Sequence, residues 1–213
     1  MTAFTSLRDI TQAQAEIHGL LQAGSTFGEI GERVAAKITG SIRVTGKERD
    51  LLCPAEGGWV RPADPTGLAA PGPQRMPYAT AMRSWALRDQ KRYRDWRNAP
   101  ERIGEVKCRQ LDRTLDLHQT CDTRGAGPAT PLFPLVDFFV FIIFDLDGDI
   151  AMARQLELAE VIDYAARSDV RGAWNYKVAI SLDMTEGTDL TVPARAALRT
   201  LSPATGARAR RGA

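Results

Sequence analysis

The stretch Arg102-Ile-Gly-Glu-Val-Lys-Cys108 decides how this chain is read. Successive side chains of a strand point to opposite faces, so Glu105 and Lys107 share one face and Val106 takes the other. A carboxylate and an ammonium side by side on a rigid strand suit the holding of a divalent cation and the steadying of a water. Upstream, Lys47-Glu-Arg-Asp-Leu-Leu-Cys53 offers a second carboxylate, Asp50, at the mouth of another apolar run. The plain alternative is that Glu105 and Lys107 form only an ion pair on an exposed sheet face.

Outward from that strand, the pattern alternates between helix and sheet. Residues 5–22 carry Leu7, Ile10, Ile17, Leu20 and Leu21 at helical spacing. Ser25 or Thr26 caps a second helix, with Glu29 completing a capping box, and this helix runs to about Ile38 before Gly40. Its apolar stripe is Phe27, Ile30, Val34 and Ile38. Beside the stripe, Gly28, Gly31, Ala35 and Ala36 are small enough for close approach to a sheet, and Glu32 sits among them.

Short strands are expected at 41–45 and 49–53. Residues 54–77 are rich in Pro and Gly and read as loop. A helix over 79–97 follows, carrying Arg83, Arg88, Lys91, Arg92, Arg94 and Arg97 beside Trp85, Tyr93 and Trp96. Its aromatics can stack on splayed bases, with the cations on phosphates, or simply bury against the body of the protein.

After the strand at 103–108 comes a polar stretch, 109–130, read as a short helix or a mobile loop. The β-branched and aromatic run 136–144 reads as a fully buried central strand. The acidic Asp145-Leu-Asp-Gly-Asp149 turns the chain into a strand at 150–156. A helix at 158–167, a last strand at 174–182 and a terminal helix at 193–201 complete the order.

With 213 residues, 44% hydrophobic and 25% charged, the composition is that of one globular domain. A net charge of only +2 means that nucleic-acid affinity would have to come from local patches. Three cysteines and an N-terminus without a basic-then-apolar leader suggest reduced thiols and a cytoplasmic setting. Pro134 and Asp137 interrupt the run 132–144, leaving it too short to span a bilayer.

Taken together, Asp50 and Glu105-Val-Lys107 resemble the Asp…Glu-x-Lys core of the PD-(D/E)xK nuclease superfamily. Phe27-Gly-Glu-Ile-Gly-Glu-Arg-Val-Ala-Ala-Lys-Ile-Thr-Gly40 looks like the opening helix of one bacterial group related to restriction endonucleases. There a Gly-Glu pair, here Gly31-Glu32, precedes a short strand and the Asp strand. The resemblance covers roughly residues 20–185. Two departures stand out: Arg49 occupies the place of the motif's Pro, and residues 51–104 separate acids that the family joins by a short hairpin.

The resemblance implies an α/β, restriction-endonuclease-like three-layer fold with a central mixed sheet flanked by helices. Length reads as a single domain over residues 1–201, the resemblance makes 54–100 an insertion in it, and the Arg/Ala/Gly composition of 202–213 reads as a disordered tail. The resemblance also implies a DNA endonuclease using Mg²⁺, or Mn²⁺ in its place. Asp50, Glu105 and Glu32 would be the metal ligands and Lys107 the residue that orients the water. A homodimer is a family expectation, since such enzymes often cut both strands.

Three alternatives are carried forward. A nuclease-like fold can serve as a DNA-binding or partner-binding module without cleavage. Phe141-Ile-Ile-Phe-Asp-Leu-Asp-Gly-Asp-Ile150 is similar to the first motif of haloacid-dehalogenase phosphatases, with Asp145 as nucleophile, although Asp149 stands where that motif has Thr. The bland reading of the same acids is a hairpin turn. Cys108, His118 and Cys121 match no standard zinc spacing.

Overall fold

The computed structural model describes residues 18–21, 25–44, 49–57, 59–61, 90–111, 116–117, 135–161, 178–180 and 182–201. At its centre is a six-stranded mixed sheet with the order β1-β2-β3-β5-β6-β8. The strands are β1 (Ile42–Arg43), β2 (Leu51–Cys53), β3 (Arg102–Gln110), β5 (Phe138–Phe144), β6 (Ile150–Glu157) and β8 (Thr188–Asp189). Only β3 and β5 run parallel; the other neighbours in this sheet are antiparallel. A separate antiparallel pair joins β4 (Asp116–Leu117) to β7 (Val178–Ala179).

β5 is the spine. Its seven residues, FFVFIIF, are all buried, as expected for a strand covered on both faces. Phe138, Val140, Ile142 and Phe144 point to one layer, and Phe139, Phe141 and Ile143 to the other. The first layer holds α1 (Phe27–Ile38) and α3 (Thr191–Leu198), through Ile30, Val34, Ala35, Ala194 and Leu198. The second holds Trp96 of α2 (Gln90–Asn98), with Leu158, Val161, Ile180 and Met184. The result is an α/β architecture with a mixed sheet and packed layers on both faces.

α1 forms as its sequence dictates. Thr26 caps it, the Thr26 hydroxyl accepting from Glu29 N at 3.1 Å and Glu29 returning a carboxylate to Thr26 N at 2.9 Å. Gly40, at φ +64°, ends it. The small-residue strip brings α1 hard against β3: a Cβ on Gly31 would collide with Cys108 Sγ.

On the other face, residues 54–101 connect two strands that are direct neighbours, since β2 pairs with β3. One buried ion pair pins this connection. Arg61 donates to both carboxylate oxygens of Asp137, Nε to Oδ1 at 2.6 Å and Nη2 to Oδ2 at 2.7 Å. Its remaining donors reach the carbonyls of Arg97, Ala99 and Glu101 at 2.9–3.2 Å. Trp59 and Trp96 lie against the guanidinium, at 5.2 and 5.1 Å. Asp137 Oδ2 also accepts from Ile103 N at 2.7 Å, so the pair ties the end of α2, the start of β3 and the start of β5 together.

Several expectations meet corrections. Of the last strand expected at 174–182, the described part is Val178–Ala179, which pairs outside the main sheet, while 174–177 and 181 lie outside the described residues. Its place at the sheet edge is taken by β8, which has no periodic signal. The stretch read as helix or loop after 108 continues β3 to Gln110 and contains β4. The helix expected over 79–97 is described as Gln90–Asn98, and its first half, with Arg83, Trp85 and Arg88, lies outside the described residues. Residues 18–21 and 158–161 are helical, and the rest of the two helices expected there lies outside the description, as does the 202–213 tail.

Two outcomes test this frame. Asp137→Ala leaves the Arg61 guanidinium buried without its counter-charge and should cost about 3–5 kcal/mol in denaturant unfolding. Gly31→Ala should cost about 1–3 kcal/mol through overpacking, and adding Cys108→Ala should return most of that loss in the same measurement.

Candidate active site

The site arises where β2 parts from β3. Leu51 pairs with Gly104 and Cys53 with Arg102. At Asp50 the backbone still donates to Gly104 O at 3.1 Å and accepts from Val44 N at 2.8 Å. The next free amide of β3, Val106 N, is bonded not by a backbone carbonyl but by Asp50 Oδ2, at 2.7 Å. A side chain thus takes over the ladder, and the Asp50 carboxylate is fixed in the gap between the diverging strands.

Glu105 and Lys107 lie beside it on β3, in register with Phe139 and Phe141 of β5. Lys107 Nζ donates to Glu105 Oε1 at 2.5 Å. Their side chains are only 14% and 13% exposed, so the pair is not the exposed surface bridge of the plain reading. Held this far from water, both charges interact strongly with their neighbours.

The electrostatics tie Asp50 to the same group. Burial, and then the negative charge of Glu105, hold the Asp50 carboxyl above its ordinary range. The Val106 amide and the cations Lys107 and Arg43 pull it the other way. Asp50, Glu105 and Lys107, grouped in the sequence through the resemblance, lie next to one another in the fold.

Glu32 approaches from α1, which covers the Val106 and Cys108 face. Its carboxylate accepts from Arg43 Nε at 2.6 Å, with side chains 24% and 31% exposed. It is held at the sheet edge and does not extend into solvent. The Cys108 thiol is pushed well above its ordinary range, first by burial and then by the charges of Glu32 and Asp50. Both acids thus act on one inward-facing sulfur, Glu32 from the helix and Asp50 from the strand.

Arg43 is the residue that sequence reasoning missed. β1 has two residues and no readable period, and the closeness of Arg43 to Asp50 appears only once β1 is paired with β2.

The other candidates fall elsewhere. Asp145 Oδ1 accepts the amides of Asp147 and Asp149 at 2.9 and 2.8 Å, and Gly148 adopts φ +87°. The motif that resembles a phosphatase is here the tight turn between antiparallel β5 and β6. On α2, Trp96 is buried and Tyr93 packs 5.8 Å from it, while Lys91 and Arg94 are exposed. Lys91 meets Asp95 at 3.1 Å, and Arg97 lies over the Trp96 ring at 5.8 Å. Cys108 is described, but His118 and Cys121 lie outside the described residues.

The donor set limits which cation fits. Among the described residues, no three His, Cys, Asp or Glu side chains are grouped to hold a metal by themselves. The hydrogen bonds use Oδ2 of Asp50 and Oε1 of Glu105, so Oδ1 and Oε2 are the oxygens this pair offers. Two hard carboxylate oxygens suit a cation that keeps most of its waters, as Mg²⁺ does, and not a fully enclosed zinc or calcium. Burial and the Glu105 charge disfavour the Asp50 carboxylate, and a cation there relieves both.

No protein-family model and no curated protein matches the chain. No helix among the described residues is long and apolar enough to cross a membrane.

The Asp50 shift carries a stability consequence. A carboxyl whose folded value lies above its unfolded value opposes folding when ionised, and the penalty fades as pH falls through the folded value. Asp50→Asn keeps an acceptor for Val106 N and removes the charge. In metal-free buffer it should therefore melt at or above the wild-type temperature at neutral pH, with the gap closing in mildly acidic buffer. Melting curves of both proteins across that range check it.

Proposed function

We propose that this chain is a divalent-metal-dependent phosphodiesterase acting on DNA, of the PD-(D/E)xK kind. The observation that supports the reading is the meeting of Asp50 Oδ2, Glu105 and Lys107 at the β2–β3 fork, on strands anchored by the most buried part of the sheet.

Asp50 and Glu105 would hold Mg²⁺, which supplies acidity to water and offsets charge on the scissile phosphate. Lys107, kept in place by Glu105, orients the attacking water and donates to the phosphoryl oxygens as their charge grows. The water oxygen bonds to phosphorus as the bond to the leaving sugar oxygen breaks, and that oxygen takes a proton. Phe139 and Phe141, in register with Glu105 and Lys107, back the pair with apolar surface, which strengthens these interactions. Glu32 is the auxiliary acid at the rim.

Lys91 and Arg94, exposed on α2, would be the cations that meet phosphates. With Trp96 buried, Trp96 serves packing and leaves DNA contact to the cations. A second copy of the chain would serve the opposite strand.

The test is incubation of the purified protein with supercoiled and linear DNA, with Mg²⁺, Mn²⁺ or chelator, beside Lys107→Ala. Metal-dependent cutting should fall at least about 100-fold in Lys107→Ala, the scale of losing a charge-stabilising donor. Cutting that survives the substitution would remove Lys107 from the chemistry. DNA binding without cutting in any metal would instead support the binding-module alternative.

A further inference from the structure

Gly104 is the last residue of β3 that pairs with β2, and it stands immediately before Glu105. Its carbonyl accepts from Asp50 N at 3.1 Å, so the backbone at this one position holds one acid of the fork and leads into the other. On its other side, Gly104 is in register with Phe138 of β5. The Phe138 ring leans over it: a Cβ on Gly104 would collide with the far edge of that ring. A glycine inside a strand marks such a close approach, and an aromatic ring from the neighbouring strand covers the gap that its missing side chain leaves.

The ring has little room to give. Phe138 is 1% exposed and packs in one cluster with Leu51 and Val106. The Arg102 guanidinium lies over it at 5.0 Å and is itself backed by Trp59 at 5.2 Å. Arg102 Nη2 donates to both carboxylate oxygens of Glu157, at 2.5 and 2.6 Å, and Glu157 is the β6 residue opposite Phe138. Trp59 also meets Arg61, so the stack continues into the Arg61–Asp137 pair.

We propose that Gly104 and Phe138 are the positioning pair of the acid site: the ring, clamped by Arg102 and Glu157, fixes the β3 backbone where it bonds Asp50 and presents Glu105. The inference rests on the metal-site reading above. It goes beyond that reading by assigning the spacing of the two acids to a contact on the face of the sheet opposite Glu105.

The consequence is geometric. A methyl at position 104 meets a ring that cannot withdraw, so β3 must shift, and with it the carbonyl that holds Asp50 and the residue that follows. Replacing the ring by a Leu side chain opens the space into which that methyl fits. The two substitutions therefore compensate each other, which changes that merely lower stability at separate points do not do.

The experiment is calorimetric titration of the full chain with Mn²⁺, without DNA, with thermal melts alongside. The proteins are wild type, Gly104→Ala, Phe138→Leu, the double variant and Leu198→Ala. Gly104→Ala should weaken Mn²⁺ binding about 10- to 100-fold, the scale of disturbing groups that orient metal ligands. Phe138→Leu should weaken it less, and the double variant should recover most of the loss. Leu198→Ala removes buried packing on α3, which lies against α1 and β6. It should lower the melting temperature and keep wild-type Mn²⁺ affinity.

Wild-type affinity in Gly104→Ala with a lowered melting temperature would make the pair a matter of packing and overturn this proposal alone. So would a double variant that binds no better than Gly104→Ala, or an equal loss of affinity in Leu198→Ala. If Gly104→Ala fails to fold, Phe138→Leu decides: unchanged affinity there overturns the proposal. Absence of Mn²⁺ binding in the wild type would overturn this inference together with the metal-site reading.

Discussion

Much of the structure hangs on the Arg61–Asp137 pair. A guanidinium and a carboxylate, 7% and 6% exposed, are expensive to bury, and the geometry offsets that cost with two parallel bonds and three backbone carbonyls. Arg is suited to this as Lys is not, because the planar fork satisfies several acceptors at once and stacks on the indoles of Trp59 and Trp96. The pair fixes the start of β5 against the start of β3, at Ile103. Two residues further along β3 stands Glu105. The register of the candidate site is therefore set by a charged clamp just beyond it, and the long connection from β2 is drawn onto the sheet by the same atoms.

From that clamp the remaining order follows. β3 and β5 lie parallel, so the side chains facing α1 and those facing α2 are kept apart by simple alternation. The α1 face receives a helix whose glycine lets it touch Cys108. The other face receives Trp96 and leaves Glu105 and Lys107 beside the apolar floor. Asp50 belongs to neither face, since it lies in the plane of the sheet, where one strand stops pairing. That position lets it respond to Glu105 and to Arg43 together.

The expectations that the structure bears out are ones that came from local pattern. The capping box at Thr26 and Glu29, the buried run of β5, the acidic turn and the shared face of Glu105 and Lys107 are all short-range consequences of residue type and period. The nearness of Asp50 to Glu105 was legible only through a resemblance, for nothing local predicts which strand lies beside β3. Asp137 looked like a break in an apolar run because its partner lies 76 positions away. Arg43, β4, β7 and β8 belong to two-residue strands, too short to show a period and defined only by their neighbours. Long-range pairing of charged residues is what single-sequence reading lacks, and both Arg61 and Arg43 are instances of it.

The central strand also matters before the chain is folded. Phe-Phe-Val-Phe-Ile-Ile-Phe is uncharged, rich in β-formers and free of Pro and Gly, which is the composition of a segment that self-associates when exposed. Asp137 and Asp145 stand immediately outside its two ends. In the folded molecule one is a clamp and the other a turn former; in a nascent or unfolded chain they are charges that resist stacking of copies. The same two carboxylates therefore protect solubility early and hold architecture late, and their places at the ends of the strand answer to both demands.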